Sequence, residues 1–333
     1  MLPRDIIIAN LEHAQPERIG LNFSHGRIND LAECGLGPSA TFHPRRWVEG
    51  NVEYYDDEWG NVWHRLRDGH SGAEVFQPAL RDWAQLATLR PPDFANPARY
   101  EKARAAFADA PDKFHVGHMP GWVFATSRYL RKMEIYLSDL IEYRDEIERL
   151  HALVTEQLEQ VIRLYASVGA DAIFYCEDLG TQDRVLIGPR MWREVFGPHY
   201  RRLTSAAHEL GLKVIMHSCG YNWALLDDLA EAGVDCFQFD QPAVYDLPAL
   251  ADKLRAHRMG LLAPIDIQRV LPTGDRALIE AEAQRMVDTF RGFLIMRDYP
   301  SLPAIGVDEE WDQWGYLAIL KAAGIELKSL RLC

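Results

Sequence analysis

A closed (β/α)8 TIM-type barrel, carrying an irregular N-terminal insertion, is the fold predicted for this chain of 333 residues. Three observations predict it. From residue 113 onward, short apolar runs alternate with longer segments of helical period, the rhythm of a parallel sheet with crossover helices. Glycines close the helical segments, at Gly169, Gly211, Gly233 and Gly292, where a left-handed residue ends a helix without steric penalty. Polar residues able to act as acid, base or ligand follow nearly every apolar run, and in barrels that end of the strands carries the active site. A doubly wound open sheet is the competing arrangement. No glycine-rich phosphate-binding loop follows the first strand, which counts against its nucleotide-binding form.

In chain order, residues 1–20 read as a lead-in with a turn or two of helix around Ile8–His13, and Gly20–Ser24 as a first strand. Residues 28–110 read as an irregular insertion or cap. Aromatic and acidic residues alternate there from Glu53 to Trp63, which predicts a hairpin packed over an apolar surface. Lys113–Val116 is a strand, and Leu130–Leu140 and Tyr143–Val168 are helices. The second helix carries the stripe Ile147, Leu150, Val154, Leu158, Ile162, Tyr165. Strands then follow at Asp171–Cys176, Lys213–Met216, Asp235–Asp240, Met259–Ala263 and Phe293–Met296. Helices are expected at Pro189–Leu210, Trp223–Ala232, Leu247–Ala256, Arg276–Arg291 and Asp312–Ala323. Seven strands are visible, so an eighth is expected within 28–110, and residues 1–333 are expected to form a single barrel domain.

A formal net charge of −13 disfavours non-specific binding to nucleic acid or to an anionic membrane. No apolar run approaches the roughly 18 residues of a membrane span, and Ile6-Ile7-Ile8 is too short for a signal peptide, so a cytoplasmic location is expected. Five scattered cysteines do not make a disulfide framework in a chain of this length.

The densest chemical signal is Lys213–Gly220. His217 and Cys219 stand at i and i+2 where a strand gives way to a loop, so their side chains share a face. An imidazole and a thiol converging on one spot are zinc-type ligands; a half-buried histidine beside a small core cysteine is the structural alternative. The other strand ends contribute His25 and Arg27, His115 and His118, Cys176 with Glu177 and Asp178, Asp240 and Gln241, Asp266 and Gln268, and Arg297 with Asp298 and Tyr299. Each alone is ordinary loop polarity; their convergence points to an enzyme. Trp47, Trp59, Trp63 and Trp122 fit core and cap packing better than a cofactor pocket, and Asp56-Asp57-Glu58 fits a solvated edge.

Several stretches resemble the uroporphyrinogen decarboxylase superfamily. They are Gly180-Thr181-Gln182, Gly188–Phe196, His208–Lys213, His217-Ser218-Cys219-Gly220, Asp227-Asp228-Leu229, Gly233-Val234-Asp235, Asp240-Gln241-Pro242, and Asp266-Ile267-Gln268 with Leu271 and Gly274. Leu11-Glu12-His13, Pro16–Ile19 and Asp57–Gly60 are similar to its uncharacterised bacterial and archaeal branch. The resemblance implies the barrel fold and one of two chemistries. One is cofactor-free decarboxylation of uroporphyrinogen; the other is zinc-dependent methyl transfer between a corrinoid and a thiol such as coenzyme M. The decarboxylases carry Arg-Gln-Ala-Gly-Arg after the first strand. Here Phe23-Ser24-His25-Gly26-Arg27 keeps the glycine and the last arginine but replaces the first arginine. The pair His217-x-Cys219 is similar to the methyltransferase zinc pair, and the resemblance implies bound zinc and a corrinoid on a partner protein. The methyltransferases' third ligand is a cysteine just after the last strand. Asp298 and Tyr299 stand there instead, while Glu177 and Cys176 are candidates from the neighbouring strand.

Zinc-assisted methyl transfer is thus the expected function. His217, Cys219, Asp298 and Glu177 form the expected ligand set, and Glu177, Asp178 and Asp240 are the expected acids, with Asp178 also a candidate ligand. Arg27, His25, His115, His118, Gln241, Asp266, Gln268 and Tyr299 are expected to contact a small-molecule substrate, and a homodimer is among the assemblies allowed. Decarboxylation is the alternative, with Arg27 holding a carboxylate and Asp178 or Asp240 as proton donor. A non-catalytic tetrapyrrole-binding barrel is the third reading.

Overall fold

Short runs of aliphatic residues set the architecture, because each must be buried on both of its faces. The computed structural model describes residues 1–24, 26–67 and 72–326. Among these, eight parallel strands line up as β1 (Gly20–Asn22), β12 (Leu294–Arg297), β11 (Gly260–Ala263), β10 (Cys236–Gln238), β9 (Lys213–His217), β8 (Ala172–Cys176), β7 (Phe114–His118) and β2 (Leu31–Gly35). The end strands meet at a seam. Asn22 bridges Asn29, the Asp30 amide donates to the Leu21 carbonyl at 2.7 Å, and Asn22 Nδ2 donates to Glu33 Oε2 at 3.2 Å. The result is a nearly closed (β/α)8 barrel with surrounding helices.

Successive side chains along a strand alternate between the barrel axis and the helices. Leu31, Phe114, Val116, Ala172, Phe174, Ile215, Cys236, Leu262 and Ile295 form the inner cluster, and the helix Pro3–Leu11 plugs its floor with Ile7 and Leu11. The same parity, carried toward the C-terminal strand ends, turns Asn22, Glu33, His118, Cys176, His217, Gln238 and Arg297 inward. The lower lumen is therefore apolar and filled, and the upper lumen is a polar cup.

The eighth strand expected within 28–110 is β2. The remainder of that region is more regular than expected: β3 (Arg46–Glu49), β4 (Val52–Asp56), β5 (Val62–Leu66) and β6 (Glu74–Gln77) form an antiparallel sheet. The alternating aromatic and acidic stretch is its β4–β5 hairpin. One face stacks Trp47 on Tyr54 at 5.4 Å, with Phe76 against Tyr54 at 5.2 Å. The other face packs Trp63 on Tyr129 of the helix Val123–Arg131, at 4.7 Å, beside the barrel mouth. Trp122 is buried and stacks on Tyr175 at 3.8 Å, a wall-packing role.

Two expected helices are broken. The helical segment around 130–140 begins at Val123 and divides at Lys132, whose φ is 68°. The segment 189–210 divides at Phe196 into Pro189–Val195 and Gly197–Glu209. Pro198 lacks the amide that a continuous helix needs there, and its ring crowds the preceding turn. No described helix is long and apolar enough to cross a membrane.

Candidate metal centre

The centre is built from two strand-end loops that touch backbone to backbone. At the end of β9 His217 faces the lumen, the buried Ser218 accepts from the Leu179 amide at 3.1 Å, and the Cys219 amide donates to Asp178 Oδ1 at 2.9 Å. The Tyr221 amide donates to the Thr181 carbonyl at 2.7 Å. The contact is tight because both loops turn on glycine. A Cβ on Gly220, whose φ is 78°, would stand 2.5 Å from the Thr181 carbonyl oxygen, and one on Gly180 would stand 2.7 Å from the Tyr221 amide nitrogen. Neither fits without parting the loops. This packing holds Asp178, from the loop after β8, against the His217–Cys219 pair.

Asp178, His217 and Cys219 offer ligand atoms all within 4.8 Å of one another. His217 Nε2 lies 3.4 Å from Cys219 Sγ and 3.4 Å from Asp178 Oδ1. Gln238 sets the imidazole. Its Nε2 donates to Asp240 Oδ1 at 2.7 Å, so its Oε1 faces His217 and accepts from Nδ1–H at 2.5 Å. That leaves Nε2 as the ligand nitrogen, pointing at the other two donors.

Asp178 and Asp240 flank the imidazole on its two nitrogen sides. Burial lowers the basicity of the His217 imidazole, but hydrogen bonds to Asp178 and Cys219 outweigh it and push its pKa up to about 11. Burial raises Asp178, yet its bonds to His217 and the Cys219 amide hold it down at about 2. Three ligands of O, N and S type match a catalytic zinc site. The donor set therefore fits zinc. Arg128 Nη2 stands 4.0 Å from Asp178 Oδ2, and a cavity of about 460 Å³, bounded by Arg128, Tyr129, Lys132 and the β6 residues Glu74 and Val75, leads outward from Asp178.

The structure redistributes the expected site residues. Asp178, His217 and Cys219 come together, with Asp240 Oδ2 4.0 Å from His217 Nδ1. Cys176 faces the lumen beside His217 in register. The Tyr299 phenol is raised by burial and then by the charges of Asp240 and Cys219. His118 is also in the cup, its Nε2 3.2 Å from Glu33 Oε1.

Other expectations need correction. Glu177 stands apart from the three converging donors: one residue past Cys176, strand parity turns it outward, where its fully buried carboxyl accepts from the Ala125 amide at 3.0 Å and burial pushes its pKa up to about 8. Asp298 is outward for the same reason and is held by the Ser24 amide and hydroxyl. Arg27 is occupied by Asp312 at 2.5 Å and Gln313 at 2.9 Å, over the Tyr316 ring. His115 lies at the start of β7, the opposite end of the barrel, bonded to the Gly169 and Ala110 carbonyls at 2.9 Å each. Asp266 is fully buried and accepts from the amides of Ala243, Gln268 and Arg269, so it staples a loop. Gln268 is exposed; Gln241 keeps its amide oxygen buried with no hydrogen-bond partner among the described residues. His25 lies outside the described residues.

Sequence reasoning missed Gln238, Glu33, Asn22 and Arg128. For Gln238 a signal existed: it is two residues before Asp240 on a strand and shares the inward face with Cys236. Arg128, on a helix remote in sequence from every ligand, carried none.

The chain resembles known proteins in sequence and in fold. A family model described as uroporphyrinogen decarboxylase (URO-D) matches residues 67–296, well over half of the chain. A methylated-thiol–coenzyme M methyltransferase of Methanosarcina mazei is 28% identical over 130 residues, 38% of this chain; the match spans only 33% of that relative's length. A solved methyltransferase from Methanosarcina mazei superposes with a TM-score of 0.58 at 17% identity, covering 77% of this chain and 72% of that one, a likeness of fold.

Proposed function

The chain belongs to the uroporphyrinogen decarboxylase (URO-D) family, and we propose that it is a zinc-assisted methyltransferase. It would move a methyl group between a small methylated or methoxylated compound or thiol and a corrinoid carried by a partner protein. The observation that carries this reading is the convergence of Asp178, His217 and Cys219 within 4.8 Å. The partial match to a methyltransferase acting on methylated thiols and coenzyme M supports the same chemistry. Zinc held by these three residues would supply a Lewis acid that keeps a thiol deprotonated at neutral pH. The chain's own residues supply the rest. Gln238 would fix the imidazole, Arg128 would balance the Asp178 charge, Asp240 would stand behind the ring on its Nδ1 side, and the thiol proton would leave to solvent. Sulfur then forms the new S–C bond, and the electron pair of the broken bond stays with the methyl donor. Decarboxylation is less well supported, because Arg27, the guanidinium that reading assigns to a substrate carboxylate, is already paired with Asp312.

The test is the metal content of the purified protein beside a His217→Ala/Cys219→Ala double variant. The expected result is about one zinc per chain, lost in the variant. A protein that takes up no zinc when zinc is supplied overturns the mechanism.

A further inference from the structure

The polar cup has a second half, across the lumen from the metal ligands, that the reaction proposed above leaves without a role. Its residues are Glu33 of β2, Asn22 of β1, His118 of β7 and Arg297 of β12, all at inward strand positions. Glu33 accepts from His118 through one oxygen and from Asn22 through the other, both at 3.2 Å. Each carboxylate oxygen keeps acceptor capacity beyond that single bond. Arg297 gives only its Nε to the chain, to the Asp298 carbonyl at 3.1 Å. Among the described residues its two terminal nitrogens have no hydrogen-bond partner. Asn22 is the register partner of Arg297 and also touches Glu33, so the two opposite charges are separated by the width of one strand. Glu33 and His118 remain solvent-accessible, 26% and 39% at the side chain, although both point toward the barrel axis. The cup is therefore open above them.

From this juxtaposition we infer that the Glu33–Arg297 wall is a receptor for a zwitterionic head group, an ammonium on Glu33 beside a carboxylate on Arg297. The methyl acceptor is then an α-amino-acid thiol rather than a plain anionic thiol. A simple anion would gain Arg297 but face the Glu33 carboxylate a strand away. An α-amino acid presents both charges on one carbon, so its ammonium and carboxylate would face Glu33 and Arg297 on either side of Asn22. Burial raises the Glu33 pKa, but the contacts with His118, Arg297 and Asn22 outweigh it, so the carboxylate stays ionised. Tyr299 follows Arg297 by two residues, just past the end of the same strand.

The thiol assignment rests on the proposed function; the head-group assignment is separable from it. Calorimetric titration of the zinc-loaded protein would compare L-homocysteine with 4-mercaptobutyrate, 3-mercaptopropylamine and 2-mercaptoethanesulfonate. L-homocysteine is expected to bind about tenfold more tightly than each single-charge thiol. Glu33→Gln should erase its advantage over 4-mercaptobutyrate, and Arg297→Met its advantage over the aminothiol, with zinc content unchanged in both variants. Equal affinity for any single-charge thiol, or variants that keep the full preference, would overturn the inference. The same variants titrated with L-norvaline, which has no sulfur, on metal-free protein separate the two assignments. If the protein takes no zinc but L-norvaline binds through Glu33 and Arg297, the function proposed above falls and the head-group receptor stands.

Discussion

At His217 the decisive contact is with Gln238, because a ring held by Nδ1 has only Nε2 to offer a metal. Gln238→Leu removes that hold without touching a ligand. It is expected to weaken zinc binding roughly tenfold to a hundredfold, measured by chelator competition, with the circular dichroism spectrum unchanged. The two neighbouring acids should separate cleanly. Asp178→Asn takes away a ligand charge that stands 3.4 Å from His217 Nε2, and zinc retention should fall with it. Glu177→Gln is nearly isosteric and faces the helix N-terminus at Ala125, so zinc content should match the unaltered protein. A loss of zinc in Glu177→Gln as deep as in Asp178→Asn would contradict this assignment.

Among the elements, the loops after β8 and β9 matter most, since neither presents the ligands alone. Their backbones meet at Gly180 and Gly220, and Gly220 also adopts a left-handed φ of 78°. Gly220→Ala meets both obstacles. It should lower stability by about 1–3 kcal/mol and weaken zinc binding together, because parting the loops moves Asp178 away from Cys219. Denaturant melts and chelator competition on the same variant check this; lost stability with unaltered zinc affinity would show that the loops' contact does not position the ligands. The antiparallel sheet β3–β6 sets the rim in the same indirect way, through Trp63 on Tyr129, which follows Arg128.

For the whole molecule, acid should act through a buried histidine behind the barrel wall. His151, fully buried, shares a 2.7 Å hydrogen bond with Tyr136, meets His199 edge-on at 5.4 Å and lies tilted against Phe196 at 5.0 Å. Burial, then the charge of His199, pushes its pKa down from 6.5 to about 3. Below pH 6.5 the unfolded chain binds a proton at this residue that the folded chain refuses. Stability therefore falls on acidification, by up to about 1.4 kcal/mol per pH unit, until the folded value is reached. Urea melts at pH 7, 5.5 and 4.5 should show a shallower loss in His151→Gln than in the unaltered protein; parallel losses would remove His151 as the cause. Most strands and helices beyond residue 113, though not the breaks at Lys132 and Phe196, were legible by themselves, because hydrophobic period and glycine stops are local properties. So was the His217–Cys219 pair, since two residues along a strand share a face whatever surrounds them. Which of the candidate acids joins that pair was not, because Cys219 and Asp178 are 41 residues apart and meet only where two loops touch. Nor were the outward turn of Glu177 and Asp298, the pairing of Arg27 with Asp312, or the place of His115 at the far end. Sequence decided the rhythm of the barrel and which residues carry chemistry; strand register and loop contact, which join distant segments, decided which of them face one another.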